Sequence, residues 1–389
     1  MGLSFVKRPT VRKALTVATT SAGNFAAVNI LMKIVIGSRG SSLALWQANW
    51  VKDRLAAAGY EIKIQIIKTS GDKLQNAPLA ASGTKGLFIK EIEEALLSGQ
   101  VDLAVHSMKD LPTDQPEGLA VAAVPRREDP HDALVSKSGQ SLYKLAAGAR
   151  IGTGSLRRQS QLLALRPDLK VIPLRGNVDT RLRKLDRGDC EALVLAGAGL
   201  RRLGLASRIT NWFKEDELCP AVGQGALAIE VCTRNTSIQE AVTPLDHQST
   251  HQAVRAERAM LRALGGGCLL PIAAYACQDS GKLCLAGVVA NPSGARVLRA
   301  KASGEPEDPE SLGKQVAEAL FGQGASELLS DAGLEVDDRK AMQVNRPRGQ
   351  RRSVEHQSSP QSREGRRGKR RALPPDRRHG QHNSHKIEN

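Results

Sequence analysis

From residue 33 to about residue 200 the chain alternates short apolar runs with longer amphipathic ones. The short runs are 33–37, 61–69 (EIKIQIIKT), 101–107 (VDLAVHS), 149–153, 169–175 and 190–197, and they have the length and aliphatic content of strands. Between them the period changes. Over 42–58, Ala44, Ala48, Val51 and Leu55 recur at spacings of four, three and four, which lines one face of a helix. Over 86–98, Phe88, Ile92 and Leu96 form one stripe while Leu87, Glu91 and Glu94 form another. This strand–helix rhythm predicts α/β domains with largely parallel sheets.

The last third has a different pattern. Thr250 is placed to cap a helix whose inward face is Ala253, Ala256, Met260 and Leu264, stopped by Gly265. Extended runs follow at 269–276, 282–290 and 295–302, the last two joined by the turn Asn291-Pro292-Ser293-Gly294. A helix over about 308–329, with Leu312, Val316 and Leu320 on one stripe, completes what reads as a small α+β domain.

A chain of 389 residues is long enough for two or three domains, and its 41% hydrophobic and 25% charged content is that of an ordinary globular core. Aromatic residues make up only 3%, which argues against stacking on single-stranded nucleic acid. No strongly apolar run is long enough for a transmembrane helix. The net charge of +16 resides at the two ends. Residues 1–31 hold 4 Lys/Arg and no acid, residues 339–389 hold 15 against 4, and the stretch between holds 37 against 36.

The first 31 residues are rich in Ser, Thr and Ala, and a second Met at position 32 directly precedes a strand. They read as a non-structural leader, with an organelle transit peptide as the alternative. The tail 334–389 has too few large aliphatic residues to offset its ordering entropy and reads as disordered, a solvated basic extension. The six cysteines (Cys190, Cys219, Cys232, Cys268, Cys277 and Cys284) include no CxxC pair and no metal-ligand spacing, which suits reduced thiols.

Three times a strand gives way to a Gly/Ser/Asn loop that opens a helix, and each junction carries arginine: Ser38-Arg39-Gly40-Ser41, Gly154-Ser155-Leu156-Arg157-Arg158, and Arg175-Gly176-Asn177 followed by Arg181. A helix start already presents unpaired N–H groups and partial positive charge, so arginine there is unfavourable unless an anion joins it. Three such junctions predict an anion-binding cleft at the C-terminal ends of parallel strands. None matches a nucleotide-phosphate fingerprint, which favours a small molecule with several carboxylates. Lys109 and Asp110, in His106-Ser107-Met108-Lys109-Asp110-Leu111-Pro112, sit at a strand exit, either as a loop ion pair or as an acid/base and counter-ion to a cation. In Gly265-Gly266-Gly267-Cys268-Leu269-Leu270-Pro271 the thiol is either held out on a mobile loop as a nucleophile or simply follows a helix cap.

These residues fall in eight segments, in order: SRGSSLALWQA (38–48), KGLFIKEIE (85–93), DLAVHSMKDLP (102–112), GTGSLRRQ (152–159), LRGNVDTRL (174–182), AGAGLRRLGL (196–205), PAVGQGALAIE (220–230) and GGGCLLP (265–271). Through them the chain resembles the porphobilinogen deaminase (hydroxymethylbilane synthase) family across roughly 33–329. The resemblance implies two periplasmic-binding-protein-like α/β lobes with a cleft between them plus a small C-terminal α+β domain. Their expected extents are 32–125 plus 226–245, then 126–225, then 246–333. It implies a transferase of haem and tetrapyrrole biosynthesis that condenses four porphobilinogen molecules, with loss of ammonia, onto a dipyrromethane cofactor held by a thioether to Cys268. Hydrolysis then releases the linear tetrapyrrole.

By the same resemblance Asp110 is the catalytic aspartate, stabilising a cationic azafulvene-like electrophile. Arg39, Arg157, Arg158, Arg175, Arg181 and Arg202 bind cofactor and substrate carboxylates, with Ser41, Gln47, Lys85, Lys109 and Ser155 in support. No metal, nucleotide or nucleic acid is required, and the family expectation is a monomer; the reduced thiols point to the cytoplasm, with an organelle matrix as the alternative if residues 1–31 are a transit peptide. Gly154 and Ala81 depart from a Ser and a Lys often found in the family, removing one donor each. The rival reading is a non-catalytic carboxylate-binding protein of the same two-lobed fold, which has no use for a thiol on a glycine loop.

Overall fold

Two five-stranded mixed sheets and one three-stranded sheet carry the fold. The structure, a computed structural model, describes residues 17–19, 25–27, 32–70, 89–266 and 270–331. Within the expected leader it places a short antiparallel pair, β1 (Val17–Thr19) and β2 (Phe25–Ala27), that joins none of the other sheets. Extended backbone there agrees with the β-branched and aromatic residues of the two segments. The remainder of the leader and the whole 334–389 tail lie outside the described residues.

The first lobe begins with β3 (Lys33–Ser38), α1 (Ser42–Ala57) and β4 (Glu61–Ile66), followed by α2 (Lys90–Leu97), β5 (Leu103–Ser107) and β6 (Leu119–Ala123). Its sheet order is β4-β3-β5-β12-β6, where β12 (Leu227–Cys232) arrives only after the second lobe. The pairs of β3 with β4 and β5 are parallel, whereas β12 runs antiparallel to both β5 and β6. The expectation of a largely parallel sheet therefore holds for only half of it. The antiparallel pairs both come from β12, which returns from the second lobe to insert between β5 and β6, while β6 keeps the direction of β5. Ile34, Ile36, Val51, Leu55, Leu103 and Ile229, all at most 1% exposed, pack α1 onto this sheet.

The second lobe comprises β7 (Asp132–Ser136), β8 (Arg150–Gly152), α3 (Leu156–Leu165), β9 (Lys170–Ile172), α4 (Val178–Arg187), β10 (Ala192–Ala196), α5 (Gly197–Arg202) and β11 (Asn211–Trp212). Its order is β11-β7-β10-β8-β9, again half parallel and half antiparallel. Alternate residues serve opposite faces. Leu134, Ile151 and Val194 pack with Leu162 of α3, while Ala133, Val135 and Leu193 pack with Leu182 and Leu185 of α4. Each such large aliphatic side chain contributes roughly 1.5–3 kcal/mol on burial.

After α6 (Thr236–Val242) the third region begins with α7 (Gln248–Ala263) and continues with β13 (Ile272–Asp279), β14 (Lys282–Ala290), β15 (Val297–Gly304), α8 (Pro309–Gly322) and α9 (Ala325–Asp331). The cap of α7 is His247, whose side chain accepts the Thr250 N–H, not Thr250 as its sequence suggests. Thr250 lies inside the first turn, where its hydroxyl accepts the Arg127 N–H. The single helix expected over 308–329 is broken at Gly324, whose φ of +94° ends one helix before the next. The β14–β15 turn ends at Gly294, φ +74°, and seats on α3; a Cβ there would stand 2.4 Å from the Ser160 carbonyl oxygen. No described helix is long and apolar enough to cross a membrane.

Candidate active site

Strand ends from both lobes converge on one cleft. In the first lobe, β3 runs into Arg39 and then Ser41, whose hydroxyl caps α1 by accepting the Ala44 N–H. Gln47, 2% exposed on α1, donates to the Ser107 hydroxyl at 2.8 Å and so ties the helix to the end of β5. Beyond Ser107 the chain makes a 3-10 turn, Met108–Asp110. Met108 is buried as its anchor, Lys109 is partly buried and Asp110 is exposed. Leu111 is extended, as Pro112 after it requires, so the turn ends there and the two charged groups stay at the strand exit.

In the second lobe Ser155 caps α3 by accepting the Arg158 N–H. Arg157 and Arg158, 4% and 6% exposed, share an internal anion that the sequence reading missed: Asp132, at the start of β7. Arg157 Nη1 lies 2.7 Å from Asp132 Oδ2, and Arg158 donates to Oδ1 through Nη2 at 2.7 Å and Nε at 3.0 Å. Gln224 adds a donation to Oδ1 at 2.9 Å and accepts from Lys109 Nζ at 3.4 Å. Burial alone would raise the Asp132 carboxyl, but the two guanidiniums outweigh it and hold the group far below the usual carboxylate range. The helix start is thus neutralised from within the protein.

A cavity of about 260 Å³ lies between the lobes. Arg39, Ser41, Gln47, Lys109 and Asp110 line it from the first lobe, and Arg158 and Arg181 from the second. Arg181 is steadied by donating Nε to the Gly176 carbonyl at 2.8 Å. Four other residues expected at the site do not line it. Arg157 is committed to Asp132 and to the Cys219 carbonyl. Arg175 is outside the lining, its carbonyl accepting from Lys184 at 3.3 Å. Ser155 is taken up by its capping role, and Arg202 donates to the Gly225 carbonyl at 2.7 Å with its guanidinium 5.6 Å from the centre of the Trp46 ring. Lys85, Ala81 and Cys268 lie outside the described residues. At Gly154 a Cβ would stand 3.3 Å from the Leu174 carbonyl oxygen, so any side chain there is crowded.

The electrostatics of the wall are those of a site short of anions. Desolvation, with repulsion from Arg158 and Arg157, pulls the Lys109 ammonium down to about 8 despite the attraction of Asp110 and Asp132. Burial and then Arg158 lower Arg181 to about 10. Carboxylates entering the cavity would relieve both. A larger depression of about 790 Å³, at Lys137, Arg150 and Lys170, contains none of the expected site residues, and Arg150 there is paired with Glu191 at 2.6 Å.

Residues 34–240 match the family model described as porphobilinogen deaminase, dipyrromethane cofactor binding domain, and residues 251–322 match the model of its C-terminal domain. The chain belongs to the porphobilinogen deaminase family. Similar relatives are the porphobilinogen deaminases of Carboxydothermus hydrogenoformans, 48% identical over 77% of this chain and 97% of theirs, and of Desulforudis audaxviator, 51% identical over the same shares. Among solved structures, a periplasmic binding protein of Salmonella typhimurium is 12% identical and covers 55% of this chain and 91% of its own, with a TM-score of 0.34. As a porphobilinogen deaminase the chain is a transferase of porphyrin biosynthesis that uses a dipyrromethane cofactor and takes porphobilinogen as substrate. The rival reading, a non-catalytic carboxylate-binding protein, is set aside by that membership.

Proposed function

We propose that Asp110 is the catalytic carboxylate of this deaminase, that Arg39, Arg158, Arg181 and Lys109 bind the carboxylates of cofactor and growing chain, and that Cys268 anchors the cofactor by a thioether. The observation that carries the reading is an exposed carboxylate, Asp110, at a strand exit beside Lys109 in a cleft supplied with cations from both lobes; the cleft's other exposed carboxylate, Asp179, accepts from the Ser42 hydroxyl. The donor set suits a dipyrromethane, whose acetate and propionate arms need several separated cations and whose ring N–H groups need an acceptor. When bound, that cofactor supplies the free pyrrole carbon on which the chain grows.

Asp110 accepts the N–H bond of the incoming pyrrole and stabilises the positive charge that develops there as ammonia leaves. Arg39, Arg158 and Arg181 orient the acid arms with charge-assisted bonds, each worth about 1.5–3 kcal/mol where water is excluded. Asp132 keeps Arg158 in place, and Arg157 and Gln224 brace Asp132. Gln47 fixes the strand end that carries Lys109 and Asp110. Ser41 and Ser155 cap the helices whose N-termini face the cleft, Lys85 adds a further cation, and Arg175 and Arg202 act from outside the lining. We read the enzyme as a cytoplasmic monomer that needs no nucleic acid; the free thiols of Cys190, Cys219, Cys232, Cys277 and Cys284 support a reducing compartment.

Intact-mass measurement of the purified protein beside a Cys268→Ser form tests the attachment. The expected result is an added mass of two linked pyrrole units in the first and none in the second. A wild-type chain that stays unmodified after incubation with porphobilinogen would overturn the assignment.

A further inference from the structure

One buried ionisable cluster on the cleft is used by none of the roles above. His106 lines the same cavity as Asp110, four positions earlier in the chain, on β5, and is 6% exposed. Its Nε2 lies 3.0 Å from Oε2 of Glu230, a fully buried carboxylate on β12. The other oxygen of Glu230 accepts from Gln115 at 3.0 Å. The β5–β12 register sets His106 opposite Ala228 and Glu230 opposite Ala104, so the two polar residues are diagonal neighbours on one face of the sheet. From α2, Glu93 completes the group. One of its carboxyl oxygens, Oε1, is buried with no hydrogen-bond partner, and burial followed by the charge of Glu230 raises the group, against an opposing pull from His106.

A structural role does not explain this cluster well. The two strands are already laddered from Leu103–Ser107 against Leu227–Val231, and a buried imidazole–carboxylate contact is seldom worth its desolvation as a fastener. An imidazole oriented by a buried carboxylate and opening on a reaction cleft is, by contrast, the arrangement that moves protons.

We propose that His106, positioned by Glu230, accepts the proton released from the terminal pyrrole when each new carbon–carbon bond forms. This rests on the function assigned above. The substrate's C–N bond breaks and ammonia leaves with the electron pair. The terminal ring's α-carbon then bonds to the freed methylene carbon and loses its hydrogen as a proton to the imidazole. That proton passes to the ammonia, which departs as ammonium, so each addition balances without an oxidant or reductant. The charged or titratable groups facing the imidazole are Glu230 from β12 and Glu93 from α2, with Lys109 and Asp110 on the turn that follows β5.

The test compares wild type, His106→Ala and Glu230→Gln, following each pyrrole addition by intact mass in single-turnover mixing and recording dipyrromethane loading and thermal melting in parallel. We expect loaded His106→Ala to add units at least about 100-fold more slowly, to be rescued by added imidazole, and to lose the limb of the pH–rate profile that reports an imidazole. Glu230→Gln should keep that limb and move it to lower pH. An unchanged rate, or a slow variant that imidazole does not rescue, would overturn the proposal. If His106→Ala fails to load the cofactor, an unmoved limb in Glu230→Gln overturns it and a moved limb supports it. A wild type that does not consume porphobilinogen at all would mark the failure of the function itself.

Discussion

Asp132→Asn is the perturbation whose size the structure defines best. Two guanidiniums converge on this carboxylate at 2.7 Å each, and all three side chains are 7% exposed or less. Asparagine keeps the shape but removes the charge and turns one acceptor into a donor aimed at a donor. Arg157 and Arg158 are then left buried without a counter-ion, a change that costs about 3–5 kcal/mol. At about 2–4 °C per kcal/mol for a unit of this size, the melting temperature should fall by roughly 6–20 °C.

Glu310→Gln is the control. The Arg255–Glu310 pair is equally short, at 2.7 Å, but 49% and 40% exposed. Water and salt screen it, so its loss should cost less than about 1 kcal/mol. Scanning calorimetry of both variants separates burial from distance as the deciding quantity. The folded Asp132 carboxyl lies below its unfolded value, so its stabilisation is present above about pH 4 and is lost as pH falls toward the folded value. The gap between wild type and Asp132→Asn should therefore narrow on acidification. Equal melting shifts for the two variants, or a gap independent of pH, would refute the reasoning.

Two further outcomes follow from the same geometry. Carboxylate ligands favour the charged form of Lys109, which the protein's own groups hold at about 8, so substrate KM should rise as pH climbs past 8, and Lys109→Arg should push that rise to higher pH. Gly294→Ala forces a side chain into a φ of +74° and against the α3 backbone, so it should lower stability by roughly 1–3 kcal/mol in a denaturant titration, where an unchanged midpoint would show that the turn does not seat on α3.

The strands legible in the sequence are β3, β4, β5, β8, β9 and β10, set apart by the helical patterns between them, and β13, β14 and β15 in the last third. Two of those it concealed, β7 and β12, carry an ionisable residue that finds its partner far along the chain. β7 opens with Asp132, answered 25 residues later by Arg157, and β12 has Glu230 at its middle, answered 124 residues earlier by His106. A local reading prices such residues as exposed, whereas the fold satisfies them. Arg39, Lys109, Asp110, Arg158 and Arg181 were legible because a helix start or a strand exit marks its own position. Arg157 was legible as a helix-start cation but not in its use, since Asp132 reaches it only through the sheet. The clue available was an acid opening an otherwise apolar strand, Asp132-Ala133-Leu134-Val135, together with Gln224 inside an already conspicuous segment.

The position of β12 has a consequence for how the molecule is made. This strand sits between β5 and β6, yet it is translated after every strand of the second lobe. On the ribosome the second lobe has all its strands available by Trp212, while the first still lacks an interior strand and leaves the edges of β5 and β6 bare. Closing that gap joins segments some 120 residues apart in sequence, the slow, high-separation kind of contact that sets folding rates. The lobe begun first is therefore finished last, and the unpaired edges of β5 and β6 are where a nascent chain is most exposed to mispairing.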